Sequence, residues 1–261
     1  MLVFLRNSFL YKLLSPIYKF IIYRRNPKYF SPITSIGLDC LISYNKYGGY
    51  CVPRNSLHRP AAQAIMRGVV WESDTIDFII NNCNSGAIVH AGTFFGDFLP
   101  ALSSNCSSRI FAFEPNPENF KCAEITCKIN SLTNVTLTNS ALGKSSETLP
   151  MVIKAPSGLC LGGSSFISKS SSPDDPCVSL VNIVSLDEFL NDEYYISIIQ
   201  LDVEGYETDV LLGALKTIKK FRPILILELL PSSEVMDIIL SFGYLHVGNL
   251  YDNHIFTSSH D

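Results

Sequence analysis

The sequence predicts an α/β protein built on a mostly parallel, doubly wound sheet. From residue 86 onward, short apolar runs typical of buried strands alternate with segments of helical periodicity. Strands that alternate with helices pair in parallel, because each helix carries the chain back across the sheet. A length of 261 residues with 47% hydrophobic and 17% charged residues fits one large α/β domain with an appended segment.

The N-terminal extension, residues 1–35, is basic and apolar. Residues 1–30 contain six Lys or Arg and no acid, so they carry +6; since the whole chain carries −4, the remainder carries −10. An acidic body argues against a nucleic-acid partner, because phosphate binding needs a basic surface. Charges and Pro16 interrupt every apolar run before the roughly 20 residues of a membrane-spanning helix, and no signal-peptide pattern is present.

The same extension shows Leu2, Leu5 and Phe9 at helical spacing. This predicts a helix that packs on the body or on a second subunit of a homo-oligomer. Peripheral contact of residues 1–30 with a membrane is the alternative. Eight cysteines without a C-x-x-C pair indicate neither a zinc site nor a disulfide scaffold. We therefore expect reduced core thiols and a cytoplasmic protein, with membrane contact left open.

Residues 36–84 are predicted to form a cap before the main domain, 85–261. Short strands surround Gly48 and Gly49, and helices are expected over 56–68, with Pro60 in the first turn, and 72–82. In the main domain the pattern predicts strands 86–91, 109–114, 134–138, 196–202, 223–229, 244–248 and 254–257, and helices 96–104, 117–130, 206–220 and 231–242. Within a long irregular stretch, segment 157–176 is rich in Gly, Ser and Pro, which predicts a loop or lid.

Two glycines follow the first strand of the main domain where a helix must begin. Gly92 and Gly96 permit positive φ and close approach of a ligand, although glycine also serves helix–strand packing. Glu114 lies 22 residues after Gly92 and ends the next strand. An acid at that place can accept both hydroxyls of a ribose. Together these features predict a site for a ligand that contains a nucleoside.

Five motifs in order, "AGTFFGD", "FAFEPNPENF", "NSALG", "LDVEGYE" and "PILILEL", resemble the FkbM family of S-adenosylmethionine-dependent methyltransferases. The resemblance covers residues 85–231. It implies a Rossmann-like, seven-stranded methyltransferase sheet, mostly parallel with an antiparallel last strand and helices on both faces. It also implies S-adenosylmethionine as the cofactor and O-methylation of a hydroxyl on a sugar, glycan or related natural product. The alternative is a non-catalytic nucleoside-binding or assembly module that retains the fold.

The resemblance implies roles for individual residues. The cofactor-binding set comprises His90, Gly92, Thr93, Gly96, Asp97, Glu114, Asn116, Ser140, Ala141 and Asp202. In this set the glycine turn lines the methionine part, Glu114 and Asn116 the ribose, and Ser140 and Ala141 the adenine. The first strand of the family commonly ends with an acid where this chain has His90. That histidine is expected either to bond to backbone in the core or to contact the cofactor, and Asp97 is an acid available nearby.

Methyl transfer from a sulfonium needs alignment of an acceptor and, for a hydroxyl, a base. The resemblance places Asp202 and Glu204 at the methyl and the acceptor, and we expect Asp202, then Glu204, as the catalytic base. Glu228 ends the next strand at the same edge. Three acids at one rim can also hold Mg²⁺, but without a ligand pattern no metal is assigned. The acceptor pocket is expected between segment 157–176, residues 36–60 and the closing hairpin.

Overall fold

The structure is a computed structural model that describes residues 38–190 and 194–258. The predicted helix of the extension 1–35 lies outside these residues. The strands, in chain order, are β1 (Cys40–Asn45), β2 (Gly48–Pro53), β3 (Ala87–Ala91), β4 (Ile110–Phe113), β5 (Val135–Thr138), β6 (Ala141–Leu142), β7 (Glu147–Val152), β8 (Phe166–Ile167), β9 (Val178–Val184), β10 (Ile196–Leu201), β11 (Ile224–Leu227), β12 (Tyr244–Leu250) and β13 (Asn253–Ser258).

Eight α-helices lie in the described part of the chain, between or after these strands. They are α1 (Pro60–Met66), α2 (Ser73–Asn82), α3 (Leu99–Asn105), α4 (Pro117–Asn130), α5 (Leu186–Phe189), α6 (Glu207–Leu212), α7 (Leu215–Phe221) and α8 (Ser233–Ser241). None of these described helices is both long and apolar enough to cross a bilayer.

The central sheet has seven strands in the order β12-β13-β11-β10-β3-β4-β5. Neighbouring strands from β11 to β5 pair in parallel, whereas β13 runs antiparallel to β11 and β12 antiparallel to β13. This confirms the predicted sheet with its antiparallel last strand. The chain order reverses between β3 and β10, so a crevice opens at the carboxyl ends of these two strands, where ligands bind in open α/β sheets.

Helices cover both faces of the sheet because the parallel strands are apolar on both sides. On one face Val89 and Ala91 pack with α6, α7 and α8. On the other face Ile88 and Ile198 pack with α2 and α3. Side chains on alternate positions of β3 therefore belong to different cores, and His90 lies on the same face as Ile88.

The cap residues pack on α4. The hairpin of β1 and β2 is held there by three hydrogen bonds. Thr126 Oγ1 accepts from the Cys51 N–H at 3.0 Å, and the Asn130 amide accepts from the Gly49 N–H at 2.9 Å and donates to the Gly49 carbonyl at 2.6 Å. A shared apolar cluster also joins Tyr50 to Phe95. The division into a cap, 36–84, and a main domain, 85–261, stays a prediction. All eight cysteines are free thiols.

Three predictions of secondary structure were wrong in detail. The stretch after β5 is not irregular, because β6, β9, β7 and β8 form a second, four-stranded sheet around Met151 and Val181. The helix expected over 206–220 is two helices, since a Cβ on Gly213 would lie 1.9 Å from the Gly143 carbonyl oxygen and the chain turns at this close approach. The helix expected from residue 96 begins at Leu99.

Segment 157–176, predicted as a loop or lid, contains one 3₁₀ turn, Gly162–Ser164, and the short strand β8. The Asn119 side chain donates to the Gly162 carbonyl at 3.1 Å, and Asn116 Nδ2 donates to Ser165 Oγ at 3.2 Å. Helix α4 therefore holds this part of the segment over the crevice at the strand ends.

Candidate functional site

Two adjoining cavities open at the carboxyl ends of β3 and β10. Gly92, Gly163 and Asp202 line both of them. The first, the apolar cavity, also has Phe113, Leu142, Met151 and Ile167 in its walls and Glu114 and Tyr206 among its polar groups. The second, the acidic cavity, is lined by Glu72, Asp97, Glu204 and Glu228 together with His90 and Arg59. Their empty volumes, open sides included, are about 460 and 700 Å³.

Glu114 directly follows β4, lines the apolar cavity and is 4% exposed. One carboxylate oxygen accepts from the Phe94 N–H at 2.7 Å and the other from the Asn116 N–H at 2.9 Å. Burial raises the pKa of Glu114 to about 8, although these donors and Asn119 oppose the shift. The oxygen bonded to Asn116 also accepts from Asn119 Nδ2 at 3.4 Å, so the oxygen bonded to Phe94 is the one that keeps a second lone pair for a ligand hydroxyl while the carboxylate fixes the glycine turn.

Gly92 begins the turn after β3 with φ +86°. A Cβ at this position would lie 1.7 Å from the carbonyl oxygen of Asp202. Glycine is therefore required by the neighbouring strand end itself, before any ligand is considered. Two residues later, Phe94 has φ +51°, and its side chain faces Gly163, which lines both cavities.

Thr93 and Gly96 line neither cavity. Thr93 is fully buried, and its hydroxyl donates to the His90 carbonyl at 3.3 Å. A Cβ on Gly96 would meet Leu99 at 3.2 Å and the α4 residue Thr126 at 3.4 Å. Both residues therefore contact other parts of the fold, and the cofactor contacts expected of them stay predictions.

Three further residues of the predicted cofactor-binding set are Asn116, Ser140 and Ala141. Asn116 caps α4 by accepting from the Glu118 N–H at 3.1 Å, and it lines neither cavity. Ala141 lines the apolar cavity. Ser140, 2% exposed, has a hydroxyl without a partner among the described residues but is not part of the lining. Of this group, only Ala141 is placed against the space where an adenine was expected.

Carboxylates dominate the acidic cavity. One oxygen from each of Asp202, Glu204 and Glu228 lies within 4.8 Å of the other two. Burial and the neighbouring Glu228 raise the pKa of Asp202 well above its ordinary value, and burial also raises the pKa of Glu204. Asp97 lines the same cavity, and burial raises its pKa to about 7. The region therefore has high affinity for protons or other cations.

His90 lies below this group of acids and is 2% exposed. Its Nδ1 pairs with Gln200 Oε1 on β10, and its ring stacks on Phe98 with 5.2 Å between centroids. Burial lowers the pKa of His90 to about 4, so the ring is neutral at pH 7. Its Nε2 has no partner among the described residues. The ring pairs with a side chain, not with backbone, which corrects one of the two expectations for this residue.

Sequence reasoning missed Glu72, Gln200 and Trp71, which line the acidic cavity. Gln200 carried a signal: it is the one amide within the apolar run "ISIIQL", and it pairs in register with His90. Glu72 and Trp71 come from the cap, whose contact with the strand ends is long-range. Nothing in their local sequence indicates that contact.

Comparison with known proteins adds a family match. A model described as the methyltransferase FkbM domain matches residues 87–245, more than half of the chain. No curated protein matches the sequence.

Similar solved structures include the methyltransferase FkbM from Methylobacillus flagellatus KT, with a TM-score of 0.45 and 18% identity over 66% of this chain and 43% of that one. A SAM-dependent methyltransferase from Aquifex aeolicus has a TM-score of 0.42 and 14% identity over 77% and 93%. The Pyrococcus abyssi tRNA (uracil-54, C5)-methyltransferase, in complex with S-adenosyl-L-homocysteine, has a TM-score of 0.43 and 9% identity over 83% and 43%. The chain spans less than half the length of the first of these proteins.

Proposed function

The chain belongs to the FkbM methyltransferase family, and from that premise we propose that it transfers a methyl group from S-adenosylmethionine to a hydroxyl of a sugar, glycan or related natural product. The observation that carries this proposal is the buried carboxylate of Glu114 in an otherwise apolar cavity at the point where the strand order reverses. Apolar walls suit a purine ring, and a carboxylate at the second strand end suits ribose hydroxyls.

The cofactor and the acceptor are proposed to bind in different cavities. The nucleoside part of S-adenosylmethionine fits the apolar cavity with Glu114, Ala141 and Leu142 in its lining. The acceptor fits the acidic cavity, which is the larger of the two. Because Gly92 and Asp202 line both, the methyl group belongs at this boundary. The cofactor supplies an activated methyl, and the protein aligns the acceptor and excludes water.

Asp202 is the proposed base for the acceptor hydroxyl, with Glu204 as the second choice. Asp202 follows β10, and its N–H donates to the Ala91 carbonyl at 3.0 Å, so the backbone of β3 fixes its position. Burial beside Glu228 raises its pKa, which strengthens it as a proton acceptor. Glu204 follows with φ +53° and Gly205 with φ +91°, so the chain turns sharply and keeps both acids at the rim.

The acidic lining supports a neutral or cationic acceptor and not a nucleic acid. Arg59 is the single Lys or Arg among the described residues that line the acidic cavity, against five carboxylates. Phosphates would be repelled there. A cytoplasmic location, peripheral membrane contact through residues 1–30 and a homo-oligomer remain part of the proposal, and residues 1–30 lie outside the described chain.

One observation favours the second candidate function, a non-catalytic nucleoside-binding or assembly module. The first strand ends with neutral, buried His90, where the family resemblance implies an acid that helps to hold the positively charged end of the cofactor. Asp97, a carboxylate in the same cavity, is available for this contact. If Asp97 takes it, the catalytic function needs no acid at position 90.

Calorimetric titration of the full chain with S-adenosylhomocysteine, S-adenosylmethionine and NAD tests the proposal. We expect saturable binding of the first two and none of NAD. Labelled methyl transfer is then measured on a panel of sugars, glycans and tRNA. Transfer to a hydroxyl acceptor supports the enzyme, whereas binding without transfer to any acceptor favours the non-catalytic module. Absence of S-adenosylhomocysteine binding would overturn both, and transfer to tRNA would overturn the acceptor class.

A further inference from the structure

Three carboxylates converge where β10 and β11 end. Asp202 and Glu204 follow β10 and Glu228 follows β11, with one oxygen of each within 4.8 Å of the others. Strand pairing sets this arrangement, because the Glu228 N–H donates to the Leu201 carbonyl at 3.0 Å. A hard cation with oxygen ligands at about 2.0–2.6 Å spans such a group. We propose that Asp202, Glu204 and Glu228 bind a divalent cation in the acidic cavity.

His90 is an independent indication of the same ligand. It lines this cavity and is 2% exposed, and its Nε2 has no partner among the described residues. Since Nδ1 pairs with the amide oxygen of Gln200, which only accepts, Nδ1 carries the proton and Nε2 is a bare acceptor. A buried acceptor without a donor is costly. A water molecule bound to the cation supplies that donor, because magnesium-like cations retain several waters.

The charges in the cavity favour a divalent cation over a protonated amine. Besides the three carboxylates, Glu72 and Asp97 also line the space. The guanidinium of Arg59, the only Lys or Arg side chain that the described residues contribute here, donates to Ser164 Oγ. An amine would neutralise one of the three converging charges and leave the other two facing each other. A divalent cation neutralises two and keeps waters for further hydrogen bonds.

The cation also has a use at this position. Asp202 lines both cavities, so an acceptor hydroxyl bound to the cation lies at the boundary where the methyl group arrives. A hydroxyl bound to a divalent cation loses its proton more readily. The proton passes to the Asp202 oxygen that does not bind the cation, as the C–O bond forms and the C–S bond of the sulfonium breaks. This use rests on the proposed function, whereas binding of the cation does not.

The test titrates Mn²⁺, Mg²⁺ and Ca²⁺ into the metal-free full chain by calorimetry, with no cofactor present. We expect one saturable site, seen for Mn²⁺ also as loss of its free-ion electron paramagnetic resonance signal. Glu228→Gln should weaken Mn²⁺ binding at least tenfold. The matched control is Glu72→Gln, which removes a carboxylate from the same cavity but not from the converging three, and it should change affinity far less. Circular dichroism and thermal melting of both variants check that they fold.

Each other outcome counts against the cation site. No binding at millimolar Mn²⁺ would overturn it, and so would equal losses in Glu228→Gln and Glu72→Gln, which would indicate only a diffuse acidic field. Saturable binding of methylammonium that excludes Mn²⁺ would replace the cation with an amine. Titration of the same sample with S-adenosylhomocysteine separates this proposal from the function: cofactor binding without Mn²⁺ binding refutes only the cation, and Mn²⁺ binding without cofactor binding refutes only the function.

Discussion

The substitution Glu114→Gln separates the structural role of this carboxylate from its proposed contact with a ribose. Glu114 accepts from the Phe94 N–H on one oxygen and from the Asn116 N–H on the other. Glutamine keeps one acceptor and turns an NH₂ group toward the second N–H. A buried donor without a partner costs about 1–3 kcal/mol of the free energy of unfolding. At about 2–4 °C per kcal/mol for a domain of this size, we expect the melting temperature to fall by roughly 2–12 °C.

The loss of binding is expected on top of this loss of stability. A hydrogen bond from a ribose hydroxyl to a carboxylate contributes about 1.5–3 kcal/mol, so affinity for S-adenosylhomocysteine should fall about tenfold or more. A thermodynamic cycle isolates the contact: titrate wild type and Glu114→Gln with S-adenosylhomocysteine and with its 2′-deoxy analogue. Removal of the hydroxyl should weaken binding to the wild type about tenfold and to the variant much less.

A matched control lies four residues further on. Glu118 is half-buried, lines neither cavity and accepts from Asn55 Nδ2 at 2.7 Å, so Glu118→Gln should change neither affinity nor the response to the missing hydroxyl. If the 2′-deoxy analogue loses the same affinity in wild type and in Glu114→Gln, Glu114 does not contact the ribose. Its role would then be confined to holding the glycine turn.

Two further expectations concern stability. Gly92→Ala should prevent folding or lower the melting temperature by well over 10 °C, since its Cβ would lie 1.7 Å from the Asp202 carbonyl oxygen. Gly205→Ala is the control: this glycine also has a positive φ but faces open space, so the variant should lose only about 1–2 kcal/mol of the free energy of unfolding. Similar losses of stability in the two variants would contradict this explanation. The ligand-free, metal-free protein should lose stability as the pH rises from 5 to 8. Burial raises the folded-state pKa values of Asp97 and Glu114 from 3.8 and 4.5 to about 7 and 8, so stability present at low pH is lost by up to about 1.4 kcal/mol per pH unit for each group; urea midpoints that stay level over this range would contradict it.

The central sheet was predictable because each parallel strand is an apolar run between turn residues. The four-stranded second sheet was not, because its strands expose much of their length. In β7 only Pro150 and Met151 are buried, and in β9 Leu180 is 54% exposed. The surrounding sequence is rich in Ser and Pro, which locally favours loops. The pairing of β7 with β9 is a tertiary contact, and local propensity does not encode it.

The residues of the candidate site that directly follow a strand were predictable, because the end of a parallel strand opens into the crevice. Glu114 and Asp202 both line a cavity for this reason. The spacing of the glycines in the sequence does not show whether the residues of the glycine turn face a cavity or the interior of the fold. Thr93 and Gly96 lie in the glycine turn but point into the fold. Glu72 reaches the site from the cap, and only the packing of the cap against the strand ends brings it there.

The pairing of His90 with Gln200 places a neutral, hydrogen-bonded pair in the lining of the acidic cavity, next to the acids that follow β10 and β11. Both residues lie in register on neighbouring strands, one layer below the acids that follow β10 and β11. An acid at position 90 would add the cost of a further buried negative charge beneath Asp202, whose pKa is already raised by burial and by Glu228. The neutral ring avoids this cost, and Gln200 fixes its orientation. The acids that follow β10 and β11 line the acidic cavity, where the acceptor and the cation are proposed, and Asp97, one residue after Gly96, is the acid proposed for the positively charged end of the cofactor.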